Sequence, residues 1–124
     1  MAPARKIVVR AETFPLATAF TIARGSRTES QVVVVEIVQG GVRGHGECVP
    51  YARYGETVDG TIAAIRALAH DVEAGLDRKR LMQQVRAGAA RNAVDCALWD
   101  LEAKLAHRPA WSLAGLPEPK PVVT

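Results

Sequence analysis

Gln31-Val-Val-Val-Val-Glu-Ile-Val-Gln39, closed by Gly40-Gly41 and answered by Val42-Arg-Gly-His-Gly-Glu-Cys-Val49, is the stretch that decides the fold. Successive valines, then Ile37 and Val38, suit a pleated backbone on which branched side chains pack well. Two glycines between such runs can both take positive φ without steric cost, which is what a two-residue hairpin turn asks of its central positions. Upstream, Lys6-Ile-Val-Val-Arg-Ala11 predicts a strand, followed by Phe14-Pro15-Leu16 and a loop, with a second extended segment near Ala19 to Ile22. The first 50 residues therefore predict a three-stranded antiparallel meander.

Beyond Thr57 the period changes. Val58, Ile62, Ile65, Leu68, Val72 and Leu76 recur at spacings of three and four, which places them on one face of a helix ending near Gly75. Asp77 is placed to cap a short second helix carrying Leu81, Met82 and Val85. A third, longer helix is predicted from about Ala89 to His107, stopped by Pro109. Its apolar stripe is Val94, Ala97, Leu98, Leu101 and Leu105, with Asp100 and Lys104 as an i, i+4 pair. Strands followed by a run of helices imply an α+β domain, a meander followed by a helical bundle on one face of the sheet.

The chain has 124 residues, of which 48% are apolar, 23% charged and 5% aromatic; this suits one folded domain and excludes disorder as its main state. A complete (β/α)8 barrel, which needs roughly 200 residues or more, does not fit. No apolar run reaches the ~20 residues of a membrane helix. Met1-Ala-Pro-Ala-Arg-Lys6 is not followed by the apolar stretch of a signal peptide, so the expected compartment is the cytoplasm. Net charge is +3, from 16 basic and 13 acidic residues. The one local excess, Arg78, Lys79, Arg80, Arg86 and Arg91, has no interleaved aromatic to stack on bases and predicts a solvated helix face. Neither nucleic acid nor a membrane is the expected partner. Cys48 and Cys96 are too few for a disulfide framework and are predicted to be buried thiols.

Chemistry-bearing motifs are sparse. Gly44-His-Gly-Glu-Cys-Val49 starts like a dinucleotide-binding fingerprint, but Val49 stands where the third glycine belongs and no helix opens there. His45 and Glu47 share one strand face while Cys48 points to the other, so a metal site would need further ligands from elsewhere. Asp95 and Asp100 lie about 140° apart around the helix and cannot converge on one substrate atom; with Glu102 they read as capping or surface-pair residues. No catalytic group and no metal ligand is predicted. Two loops stand out instead, Arg24-Gly-Ser-Arg27 and Pro50-Tyr-Ala-Arg-Tyr-Gly-Glu56. Arginine offers a fork of donors matched to a carboxylate, and tyrosine an apolar face with a polar tip, so such loops can line a pocket. At the other end, Leu116-Pro-Glu-Pro-Lys-Pro121 reads as a stiff linker, and Val122-Val-Thr124 as the start of a strand.

Ala90-Arg-Asn-Ala-Val-Asp-Cys-Ala-Leu-Trp-Asp-Leu-Glu-Ala-Lys104, with Pro109 and Leu113-Ala-Gly115, resembles the signature helix in the N-terminal part of the mandelate racemase and muconate-lactonising group of the enolase superfamily. Gly44-His-Gly-Glu47, Pro50 and Tyr54-Gly-Glu56 resemble the hairpin end and following loop of that domain. Within the group, Ile22-Ala-Arg-Gly-Ser-Arg27, Pro50 to Glu56 and Ala87-Gly-Ala-Ala-Arg-Asn92 are most similar to bacterial L-Ala-D/L-Glu dipeptide epimerases. The resemblance covers essentially the whole chain.

It implies that residues 1–115 form a capping domain over the mouth of a (β/α)7β barrel that is not in this chain, with 116–124 as linker and start of the first barrel strand. The resemblance implies that the barrel carries the Mg2+ ligands and the lysines that move the proton α to a carboxylate, since an enediolate forms only if its charge is neutralised as it develops. It implies that the cap, silent alone, supplies two loops that close on an acidic dipeptide such as L-Ala-L-Glu or L-Ala-D-Glu, with Arg24 or Arg27 on its anionic end and Tyr51 and Tyr54 as walls. The alternatives are the cap of a cycloisomerase, an o-succinylbenzoate synthase or an N-acylamino acid racemase, or a stand-alone homo-oligomeric binding module.

Overall fold

The branched runs form the sheet that their periodicity predicts. In a computed structural model that describes residues 4–124, β1 (Arg5–Ile22), β2 (Gly25–Gln39) and β3 (Val42–Cys48) make an antiparallel sheet in the order β1-β2-β3. Gly40 and Gly41 turn β2 into β3 with φ of 57° and 78°, the left-handed pair that the hairpin requires.

The first strand departs from expectation. No loop follows Phe14-Pro15-Leu16: β1 runs on through it, Pro15 facing Glu29 of β2, and the ladder resumes at Phe20 opposite Arg27. Between these pairs the register shifts, so that residues 16–19 of β1 stand opposite residue 28 of β2. Proline is tolerated because β1 is an edge strand and a bulge follows it, so no ladder bond there needs its missing N–H. The outcome is a long two-stranded ribbon closed by the turn at Ala23 and Arg24.

Helices follow as α1 (Val58–Ala67), α2 (Ala69–Glu73), α3 (Arg78–Gln84), α4 (Ala89–Ala106) and α5 (Ala110–Leu113). The single helix predicted from Thr57 to Gly75 is interrupted at Leu68, whose N–H reaches back only to Ile65 O at 3.0 Å. Its two ends behave as the sequence implies: Thr57 accepts from Gly60 N, while Leu76 N donates to Asp71 O and Gly75 N to Val72 O. Asp77 caps α3 by accepting from Arg80 N at 2.8 Å. His107 ends α4 in the left-handed region at φ 52°. The short α5 was not anticipated; Arg108 braces it by donating to Ser112 Oγ and Ser112 O.

Helices α1 to α4 lie on the face of the sheet that carries Val33, Val35, Ile37 and Cys48, which meet Ile65, Val72, Leu76, Leu81 and the inner side of α4 in one core, while α5 packs on α4. Alternation along β3 turns Gly44, Gly46 and Cys48 toward that core and Arg43, His45 and Glu47 outward. The two glycines are there because α4 packs directly on the β3 backbone. A Cβ on Gly46 would overlap Ala93 O, and one on Gly44 would lie 2.6 Å from Leu101 Cβ. Leu105, predicted on the buried stripe, is 38% exposed, because α4 runs past the end of the sheet at its last turn. Cys96, predicted buried, is exposed on the outer side of α4. On the opposite face of the sheet Glu36 is nearly buried among Arg43 at 2.6 Å, His45 at 3.3 Å and Arg10 at 3.5 Å. Burial alone would raise its carboxyl pKa; the hydrogen bond and charge of Arg43, with the charge of Arg10, outweigh it and hold the group below its ordinary range.

Candidate functional site

The long ribbon carries the β1–β2 turn away from the core and brings it against the loop that leaves β3. Ile22, Arg24, Ser26 and Arg27 on one side, with Tyr51 and Arg53 on the other, line an open cleft of about 720 Å3. Two segments distant in sequence, the β1–β2 turn with the first residues of β2 and the loop after β3, thus meet at one place, and three of the four candidate residues, Arg24, Arg27 and Tyr51, share it. Tyr54 does not. Its ring meets that of Tyr51 at a tilt, with centroids 5.6 Å apart; the residue is 72% exposed and faces a separate groove with Thr57, Gly88 and Arg91.

Local geometry explains the loop. Residues Ala52–Tyr54 form one 3-10 turn, closed by Gly55 N donating to Ala52 O at 2.9 Å, with Gly55 in the left-handed region at φ 73°. That turn aims Arg53 into the cleft beside the two hairpin arginines. Three arginines and no acidic residue line the cleft, and a guanidinium can offer a planar carboxylate a pair of parallel bonds. Arg53 stands inside the loop singled out above, and only the tertiary placement of that loop sets it on the cleft with Arg24 and Arg27.

Other charged clusters are already satisfied. Arg78 lies 3.3 Å over the ring of Trp99 and donates to both oxygens of Glu102, at 2.7 and 3.2 Å. The Arg78 bond, against a smaller effect of burial, holds the Glu102 carboxyl below its usual range. Asp100 accepts from His45 N and Lys104 Nζ, each at 2.8 Å, so the expected i, i+4 pair is present. Arg91 donates to Val85 O. Cys48 is no nucleophile: burial, reinforced by the charges of Glu56 and Glu47, pushes its thiol up to about 11. Among the described residues no group of three or more His, Cys, Asp or Glu is placed to hold a metal ion. No helix among them is long and apolar enough to cross a membrane.

Residues 4–115 match the family described as mandelate racemase / muconate lactonizing enzyme, N-terminal domain. The chain belongs to this family. Its α+β meander and helices are the capping-domain fold of the enolase superfamily. Among curated relatives of this mandelate racemase / muconate lactonizing enzyme N-terminal domain, an L-Ala-D/L-Glu epimerase of Escherichia coli is 48% identical over 120 residues, 97% of this chain and 37% of that protein. An enolase family member from Agrobacterium tumefaciens, described as homologous to dipeptide epimerases and solved with sodium and L-Ala-L-Glu, superimposes with a TM-score of 0.87 at 51% identity, over 91% of this chain and 35% of that one. A dipeptide epimerase from Enterococcus faecalis, complexed with Mg and L-Leu-L-Tyr, superimposes with a TM-score of 0.77 at 30% identity, over 90% of this chain and 34% of that one. The chain thus spans little more than a third of the length of these relatives.

Proposed function

We propose that this chain is the substrate-capping, specificity-determining domain of a Mg2+-dependent dipeptide epimerase, an isomerase that removes and returns the proton at the carbon α to a carboxylate. The observation that carries the proposal is the arginine-lined cleft between the hairpin turn and the loop after β3. Similarity to an L-Ala-D/L-Glu epimerase over nearly the whole chain supports it. In this reading Arg24, or Arg27 beside it, pairs with the anionic end of an acidic dipeptide such as L-Ala-L-Glu or L-Ala-D-Glu. Tyr51 walls the pocket and Tyr54 buttresses it from outside. Residues 116–124, three prolines followed by the exposed Val122 and Val123, lead into the first strand of a following (β/α)7β barrel. That barrel, in the cytoplasmic enzyme, holds Mg2+ and the proton-transfer groups, and the cap alone is inactive.

The test is solvent exchange. Full-length protein with Mg2+ and L-Ala-L-Glu in D2O should incorporate deuterium at Cα of the C-terminal residue, and Arg24→Ala should lower kcat/KM for acidic dipeptides about tenfold or more relative to neutral ones. Absence of exchange on every dipeptide sinks the assignment. Unchanged selectivity in Arg24→Ala moves the anion site away from this arginine.

A further inference from the structure

Helix α4 begins on Gly88, which has no side chain to accept from the first backbone N–H groups. The missing acceptor arrives from far away in sequence: Glu56 Oε2 accepts from Ala89 N at 2.7 Å, while Glu56 Oε1 accepts from Tyr51 N at 3.2 Å. One carboxylate therefore holds two partly buried donors, one at the N-terminus of the core helix and one in the wall of the arginine cleft. A negative charge is favoured at that helix end, and bonds to an ionised acceptor are the stronger kind. Gly88 is part of the arrangement, since a Cβ there would stand 3.0 Å from Glu56 Oε2. Glu56 N also donates to Tyr51 O at 3.3 Å, closing the loop on itself.

We infer that Glu56 is a positioning residue: its carboxylate latches the cleft wall bearing Tyr51 and Arg53 to the end of α4, so that Arg53 meets the substrate already ordered. The inference rests on the cleft being the substrate site proposed above. Without the latch, binding must order the loop, and affinity falls by that ordering cost while the chemical step is untouched. Glutamine cannot replace glutamate here, because its amide NH2 would face one of the two N–H donors.

In the full-length protein Glu56→Gln should raise KM for L-Ala-L-Glu about tenfold with kcat unchanged, the factor that one lost bond to a charged acceptor carries. Amide exchange should accelerate across residues 50–56 and stay unchanged in β2. Gly88→Ala, which crowds the same oxygen, should give the same signature if Glu56→Gln does not fold. Asp77→Ala removes a cap of similar worth from α3 and should leave KM alone. Equal KM in Glu56→Gln and the unaltered protein, or a fall in kcat alone, overturns the latch. If the unaltered protein epimerises nothing, the function proposed above fails and the latch is judged by exchange alone; unaltered exchange across 50–56 then overturns it too.

Discussion

Single residues separate what burial does from what spacing suggests. Cys48 and Cys96 look alike in the sequence, but Cys48 faces the core from β3 whereas Cys96 lies outside on α4. Burial raises both thiols, Cys48 to about 11 and Cys96 less strongly, with Asp95 adding to the latter. A thiol reagent at pH 8 should therefore modify Cys96 in the native protein and reach Cys48 only after unfolding, so that Cys96→Ser leaves the native protein unreactive. Equal native rates for the two would show that β3 does not pack as described. At the same scale, Arg24, Arg27 and Tyr51 stand out in the sequence as candidates because arginine and tyrosine in a loop have a chemistry of their own. Arg53 and Glu56 were not, because their roles depend on neighbours distant in sequence.

Whole elements were read well where periodicity is strong and poorly where tertiary pairing decides. The hairpin of β2 and β3, the Asp77 cap and the long α4 all follow from local signals. The extension of β1 through Pro15 does not, since only the opposite strand decides whether an extended segment pairs. Glycines at 44 and 46, which do not complete a dinucleotide-binding fingerprint, are the seat of a helix. Gly46→Ala tests this seat: a methyl driven into Ala93 O forces α4 off the sheet and should cost about 3 kcal/mol in denaturant unfolding. An unchanged midpoint would mean that α4 is not seated on β3.

At the scale of the molecule, stability should depend on acid in a definite direction. Glu102, held down by Arg78, titrates below its ordinary value in the folded state. Asp100 does so too, where Lys104 and the His45 N–H outweigh burial, and so does Glu36 beside Arg43. Unfolding then takes up protons in acid, so their contribution is complete above the ordinary carboxylate range, about pH 4, and is lost as pH falls through the lower folded values. Tm should drop steeply below about pH 4, and Glu102→Gln should flatten that slope; a slope unchanged in the variant would show that the Arg78 pair does not contribute. The sequence by itself determined the class of fold, the order of its elements and the two loops worth watching, because hydrophobic period, turn glycines and capping residues act over a few neighbouring positions. Only the tertiary structure decided that those loops meet, that three arginines converge without a carboxylate among them, and that Glu56 ties their wall to α4, because each of these is a contact between segments whose proximity no local propensity encodes.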